Sequence, residues 1–141
     1  MIINIAIIED GIKPKSYTDS SELDVYIREI EIDDSKALKR VKCYLGFKTS
    51  FSHHYRGVLV PRSSLTKYDW IMQNSPGTID ADYRGEWIMT LTSLNGEDFP
   101  YRVGDRVGQI YFERKVYSYL NEVDNLDETD RGEGGFGSTG E

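Results

Sequence analysis

Two aspartates in one short string could do chemistry: Asp80 and Asp82 of NSPGTIDADYRGE, residues 74–86. A carboxylate that holds a water within hydrogen-bond reach of an electrophile can act as a general base. Strand alternation puts Asp80 and Asp82 on one face, with Ala81 opposite, and Pro76-Gly77 supplies a hairpin turn. The plain alternative is a pair of solvated carboxylates on an edge strand. By the same plain reading Tyr83 is a packed strand aromatic and Asn74 a turn residue.

Three further strings carry polar groups at useful spacing. PRSS at 61–64 ends a strand at Pro61 and lets Ser63-Ser64 cap a short helix running to Trp70. Free N–H groups at a helix start favour anions, and Arg62 can neutralise a phosphate through two parallel bonds. RVGDRVGQI at 102–110 makes a tight Gly104-Asp105 turn between strands. DRGEGGFGSTG at 130–140 sets Arg131, Phe136, Ser138 and Thr139 among glycines, which allow close backbone approach to a ligand. His53 and His54 are adjacent. On a strand they point to opposite faces, and no carboxylate–His spacing accompanies them, so no metal site is expected there. Trp70 and Trp87 read as core or interface aromatics.

The four strings, in this order, resemble the trimeric dUTP diphosphatases (dUTPases) over roughly residues 20–141. The resemblance implies hydrolysis of dUTP to dUMP and pyrophosphate, which limits uracil in DNA and supplies dUMP for thymidylate. It implies that Asp80 activates water and that Tyr83 lies under the deoxyribose, leaving no room for a 2′-hydroxyl. It assigns uracil to the loop from Asn74 through Gly77 and Thr78 to Ile79. Backbone groups there imitate the pairing edge of adenine. Arg62 and Ser63, with Ser64 beside them, would meet the triphosphate, and Gln109 would donate its amide to a phosphate oxygen. Asp105 and Arg106 would be structural, with a salt bridge at a subunit junction. The tail would close over the nucleotide, with Arg131 on the γ-phosphate and Phe136 on the uracil face. Gly137, Ser138 and Thr139 would donate to phosphates. The family's first motif, A-G-x-D-L, is matched least well: the chain reads Ser21-Glu22-Leu23-Asp24-Val25. Asp24 would hold hydrated Mg²⁺ through water. Each site would draw on three subunits of a homotrimer. A dCTP deaminase of the same fold is the rival enzyme, but it lacks the Asp80-Ala81-Asp82-Tyr83 pattern. A regulatory module that binds a protein partner is the rival of another class. The full catalytic set argues against lost activity and leaves a second, regulatory role open.

The elements that must position these residues are strands. Leu23, Val25 and Ile27 alternate, as do Val41, Cys43, Leu45 and Phe47, and residues 57–60, 87–94 and 107–113 are further apolar runs. Turn clusters separate them at Asp33-Asp34-Ser35, Asn74–Gly77, Asn95–Asp98 and Gly104-Asp105. This pattern predicts an all-β, jelly-roll-like sandwich with one short helix. Residues 1–123 would form the β-domain, and residues 124–141 a flexible, Gly-rich C-terminal arm over a neighbouring subunit's site. Residues 28–42 give no clear assignment.

At 141 residues the chain suits one core. The net charge is −7, and residues 122–141 hold seven acids against one base, so the remainder is nearly neutral. No basic stripe exists to track polymeric nucleic acid. The single cysteine, Cys43, excludes an intrachain disulfide. MIINIAIIEDG at the start has no basic leader, no cleavage site and too few apolar residues to span a bilayer. It reads as the first strand of a soluble protein with no membrane contact. Such a protein is expected in the cytoplasm, or in a host's cytoplasm if the source is viral.

Overall fold

Short apolar alternations separated by turn residues fold here into strands that pair only antiparallel. The structure, a computed structural model, describes residues 1–35 and 37–137. Ten strands and one 3₁₀ helix follow one another along the described chain. They are β1 (Asn4–Ile7), β2 (Leu23–Tyr26), β3 (Glu29–Asp33), β4 (Arg40–Tyr44), β5 (Phe47–Ser50) and β6 (Tyr55–Pro61). The helix (Ser63–Lys67), β7 (Trp70–Met72), β8 (Gly77–Ile79), β9 (Ile88–Ser93) and β10 (Arg106–Arg114) complete the set.

One four-stranded sheet has the order β2-β10-β6-β8 and the other β3-β4-β9-β7, while β1 and β5 form a ribbon. From β6 to β10 the chain crosses from one sheet to the other at every step. Their inner faces supply one core, with Val25, Leu59, Val107 and Ile110 from the first sheet and Val41, Cys43, Met89 and Leu91 from the second. This is the expected jelly-roll sandwich. Trp87 is fully buried at its centre, and its indole N–H donates to Thr49 Oγ1 at 3.0 Å. Truncating such a residue to alanine costs about 3–5 kcal/mol. Trp70 is also buried, as expected of a core aromatic.

The run Val41–Phe47 buries all four expected residues but forms two strands, not one. Gly46 adopts φ +78°, a left-handed turn that sends β5 into the ribbon. β3 and β7 were not read from the sequence. The expected short helix to Trp70 is a five-residue 3₁₀ segment, with Arg62 at its cap position and no side-chain cap bond. Ser63 and Ser64 therefore do not cap it, and Trp70 starts β7 instead of ending the helix. His53 and His54 sit in a turn before β6, not on a strand, and their rings lie 4.0 Å apart, centre to centre. No group of three or more metal-ligating side chains occurs among the described residues. No helix among them is long and apolar enough to cross a membrane.

Candidate functional site

The hairpin string is shaped by two side chains. Asn74 donates to Ile88 O at 3.1 Å and accepts the Thr90 N–H at 2.9 Å, so one amide clamps the turn against β9. The turn itself is Gln73-Asn74, and Gly77 already belongs to β8, which corrects the assignment of the turn to Pro76-Gly77. β8 ends at Ile79, the last residue that pairs with β6. Asp80 and Asp82 thus lie beyond the strand, in a turn closed by Tyr83 N–H to Asp80 O at 3.1 Å. Strand alternation does not govern them. Both are nevertheless exposed, with Ala81 buried between them. Arg84 holds this turn, donating to Ala81 O at 2.7 Å.

Asn74, Thr78, Ile79, Asp80, Tyr83, Glu86 and Ile88 line a cavity of about 300 Å³. Tyr83 is half exposed, and its hydroxyl donates to Glu86 O at 3.1 Å. Its ring lies over Gly85, where a Cβ would come within 2.4 Å of Tyr83 Cζ. Glu86 lines the same cavity. Arg28 donates to both of its carboxylate oxygens at 2.9 Å, and the Gly46 N–H adds a bond of 2.7 Å. Burial works against the Glu86 anion. The Arg28 and Gly46 bonds, with the Arg28 and Lys48 charges, outweigh it and hold the carboxyl below its ordinary value.

A second, polar cavity of about 220 Å³ lies at the β2–β10–β6 junction. β10 runs between the other two, so register decides the neighbours: Gln109 pairs with Asp24 on one side and Val60 on the other. Arg62, one residue past the end of β6, then faces the same space. Lys15, Glu22, Asp24, Arg62, Arg106 and Gln109 all contribute to its walls. Asp24 is its electrostatic centre. It is 7% exposed, and its oxygens lie 3.2 Å from Arg62 Nε and 3.0 Å from Arg106 Nη1. Within the chain Arg106 pairs with Asp24 and not with Asp105, whose carboxylate caps the Arg102 N–H at 2.7 Å. Asp24 Oδ1 is buried without a hydrogen bond, and so is the hydroxyl of Ser64. Ser63 is exposed.

The structure thus brings Asn74, Thr78, Ile79, Asp80 and Tyr83 together around one cavity, with Gly77 in the adjoining strand. It brings Asp24, Arg62 and Gln109 together around another. Among the described residues, none of the arm lines either cavity. The Arg131 Nε–H donates to Gly134 O at 2.8 Å, within the arm. Phe136 is fully exposed, and Gly137 follows it at φ +86°. Ser138 and Thr139 fall outside the described residues. Sequence reasoning gave no role to Lys15, Glu22, Glu86 or Lys115. The replacement of the family's glycine by Glu22 was the one signal that could have flagged any of them.

A model of the dUTPase family matches residues 12–140. The chain belongs to the dUTPase family. The deoxyuridine 5'-triphosphate nucleotidohydrolase of Fusobacterium nucleatum subsp. nucleatum is 36% identical over 135 residues, 94% of this chain and 92% of that protein. The Helicobacter pylori protein of the same name is 40% identical over 129 residues, 90% of this chain and 88% of that one. Among solved structures, a mutant dUTPase of Staphylococcus bacteriophage 80alpha with dUpNHpp superimposes with TM-score 0.75 at 18% identity, covering 99% of this chain and 98% of that one. At that identity the likeness speaks for the fold, and the dUTPase sandwich is the fold described above.

Proposed function

We propose that this dUTPase carries out its family's reaction, dUTP to dUMP and pyrophosphate, at a site divided between the two cavities. The observation that carries the division is that they share no lining residue. The hairpin cavity takes the deoxyuridine, and the polar cavity takes the phosphates. In this reading neighbouring copies of the chain, in a homotrimer, bring a hairpin cavity and a polar cavity together.

In this reading Asn74 fixes the loop, and the backbone of Gly77, Thr78 and Ile79 reads uracil. Tyr83 excludes a 2′-hydroxyl by occupying its space. Asp80 accepts a proton from a water that attacks the α-phosphorus. Arg62, Gln109, Ser63 and Ser64 orient the phosphates and offset their charge, the kind of preorganised electrostatics that dominates phosphoryl transfer. Arg131 and Phe136, with Gly137, Ser138 and Thr139, close the arm (residues 124–141) over the bound nucleotide, outside the β-domain of residues 1–123.

The polar cavity also suits Mg²⁺. Asp24 Oδ1 is buried and ion-paired with Arg62 but accepts no hydrogen bond, so a metal-bound water can donate to it, and among the described residues no cage of three ligands competes for the ion. Asp24, with Glu22 near by, would hold such an ion through its water shell. Bound to the phosphate oxygens, the ion would neutralise charge as the bridge breaks. A phage phi11 dUTPase of the same fold is described with a structural Mg(II) ion. The enzyme is read as cytoplasmic, without contacts to membrane or polymeric nucleic acid.

Pyrophosphate release from dUTP, compared with dCTP and UTP, tests the reaction. Mixed assemblies test the division. Asp80→Asn chains refolded with chains ending before Arg131 should regain activity that neither has alone. No recovery in verified mixed assemblies would refute shared sites.

A further inference from the structure

The polar cavity holds a carboxylate that the family's first motif does not call for. Where that motif has glycine, this chain has Glu22. Its position is held by a small network. Glu22 Oε2 accepts a hydrogen bond from the Ser20 hydroxyl, and that hydroxyl oxygen accepts the Glu22 N–H at 3.1 Å. Ser16 Oγ donates to Thr18 O at 2.7 Å, which braces the same loop. Tyr17 carries the loop against the sheet, with its hydroxyl bonded to that of Tyr26 and its ring 5.0 Å from the Arg106 guanidinium. A glutamate carboxyl is an anion near neutral pH.

The charges around the cavity decide what it can bind. Three cations, Lys15, Arg62 and Arg106, face two carboxylates, Glu22 and Asp24. Asp24 already engages both arginines. One net positive charge cannot offset a triphosphate, which carries several negative ones. A divalent cation arriving with the phosphates changes the balance twice: it lowers the anion's charge and is itself attracted to the Glu22 carboxylate, which the arginines leave to the cavity.

We infer that Glu22 makes polyphosphate binding in this cavity conditional on a divalent cation, favouring the metal complex and repelling the bare anion. The residue sets which form of the substrate is accepted; it takes no part in bond breaking. The inference rests on the phosphate reading of the cavity.

Calorimetric titration with dUpNHpp, the imido analogue of dUTP, tests it without catalysis. Kd is measured in Mg²⁺ and in chelator for the wild type, for Glu22→Gln and for Arg62→Gln. Glu22→Gln keeps the size and removes the charge. It should narrow the ratio of the two Kd values by about fivefold or more, the lower range of coupling between two ligands. Glu22→Asp should restore most of the ratio. An unchanged or wider ratio in Glu22→Gln overturns the inference while leaving the phosphate reading intact. If Arg62→Gln binds the analogue as tightly as wild type in both conditions, the phosphate reading fails first, and the inference falls with it.

Discussion

The Lys115 ammonium lies 3.7 Å from Asp80 Oδ1. Lys115 follows the last residue of β10, and its N–H is anchored to His54 O at 2.8 Å. The point where the chain leaves the sandwich therefore faces the carboxylate assigned as base. Asp80 is otherwise open to solvent, as a group must be if it is to meet a water and a substrate.

Asp80→Asn keeps the shape and removes the base. Turnover should fall by roughly 10²–10⁴-fold, while dUpNHpp binds almost as before. Wild-type-like kcat in the purified variant would reassign the base.

Tyr83 can be tested from two directions. Tyr83→Ala should admit UTP, raising its kcat/KM relative to dUTP. Gly85→Ala should do so without touching the tyrosine itself, because the new methyl would lie 2.2 Å from Tyr83 Oη and push the exposed ring aside. That ring can move, so the thermal melt of Gly85→Ala should stay close to wild type. A dUTP/UTP ratio unmoved in both variants would make Tyr83 a packing residue only.

Glu86 gives a pH signature. Its folded carboxyl sits below the ordinary value of 4.5, so its ionised form adds stability above that pH. The contribution is lost as pH falls through the lower folded value. Glu86→Gln should cost about 1.5–3 kcal/mol near neutral pH, the range for hydrogen bonds to charged groups. Denaturant unfolding should show the gap to wild type closing in acid. A gap constant from pH 7 to pH 3 would mean that the Arg28 pair contributes no charge-dependent stability.

Chains ending before Arg131 should lose turnover and triphosphate affinity but keep the melt of the body. The motive is that Arg131 bonds within the arm and Phe136 is fully exposed. With the full chain, hydrogen exchange at 131–137 should slow only when dUpNHpp and Mg²⁺ are both present. Equally slow exchange without ligand would make the arm a permanent structural strap.

Chemistry that sits in contiguous strings was legible. Asn74, Asp80 and Tyr83 are close in sequence, and one cavity gathers them whatever turn connects them. The polar cavity was harder to foresee. Asp24 and Arg106 are 82 positions apart and meet only through the β2–β10 register. Burial of an acid between two arginines leaves no trace in local pattern. Strand boundaries failed for different reasons. β3 alternates charged residues with Ile30 and Ile32, yet Ile32 is 56% exposed on the sheet's edge, so no clean inside face marks it. β7 has three residues, too few to register a period of two, and the helix signal from Ser63 ran over it.

Cys43 lies at the centre of the core, fully buried, and burial pushes its thiol up to about 12. The native chain therefore shields its only thiol from alkylating reagents. Labelling of Cys43 waits for β4 to come away from the sheets on either side of the core. In an unmodified chain, the rate of thiol capture becomes a clock for opening of the sandwich.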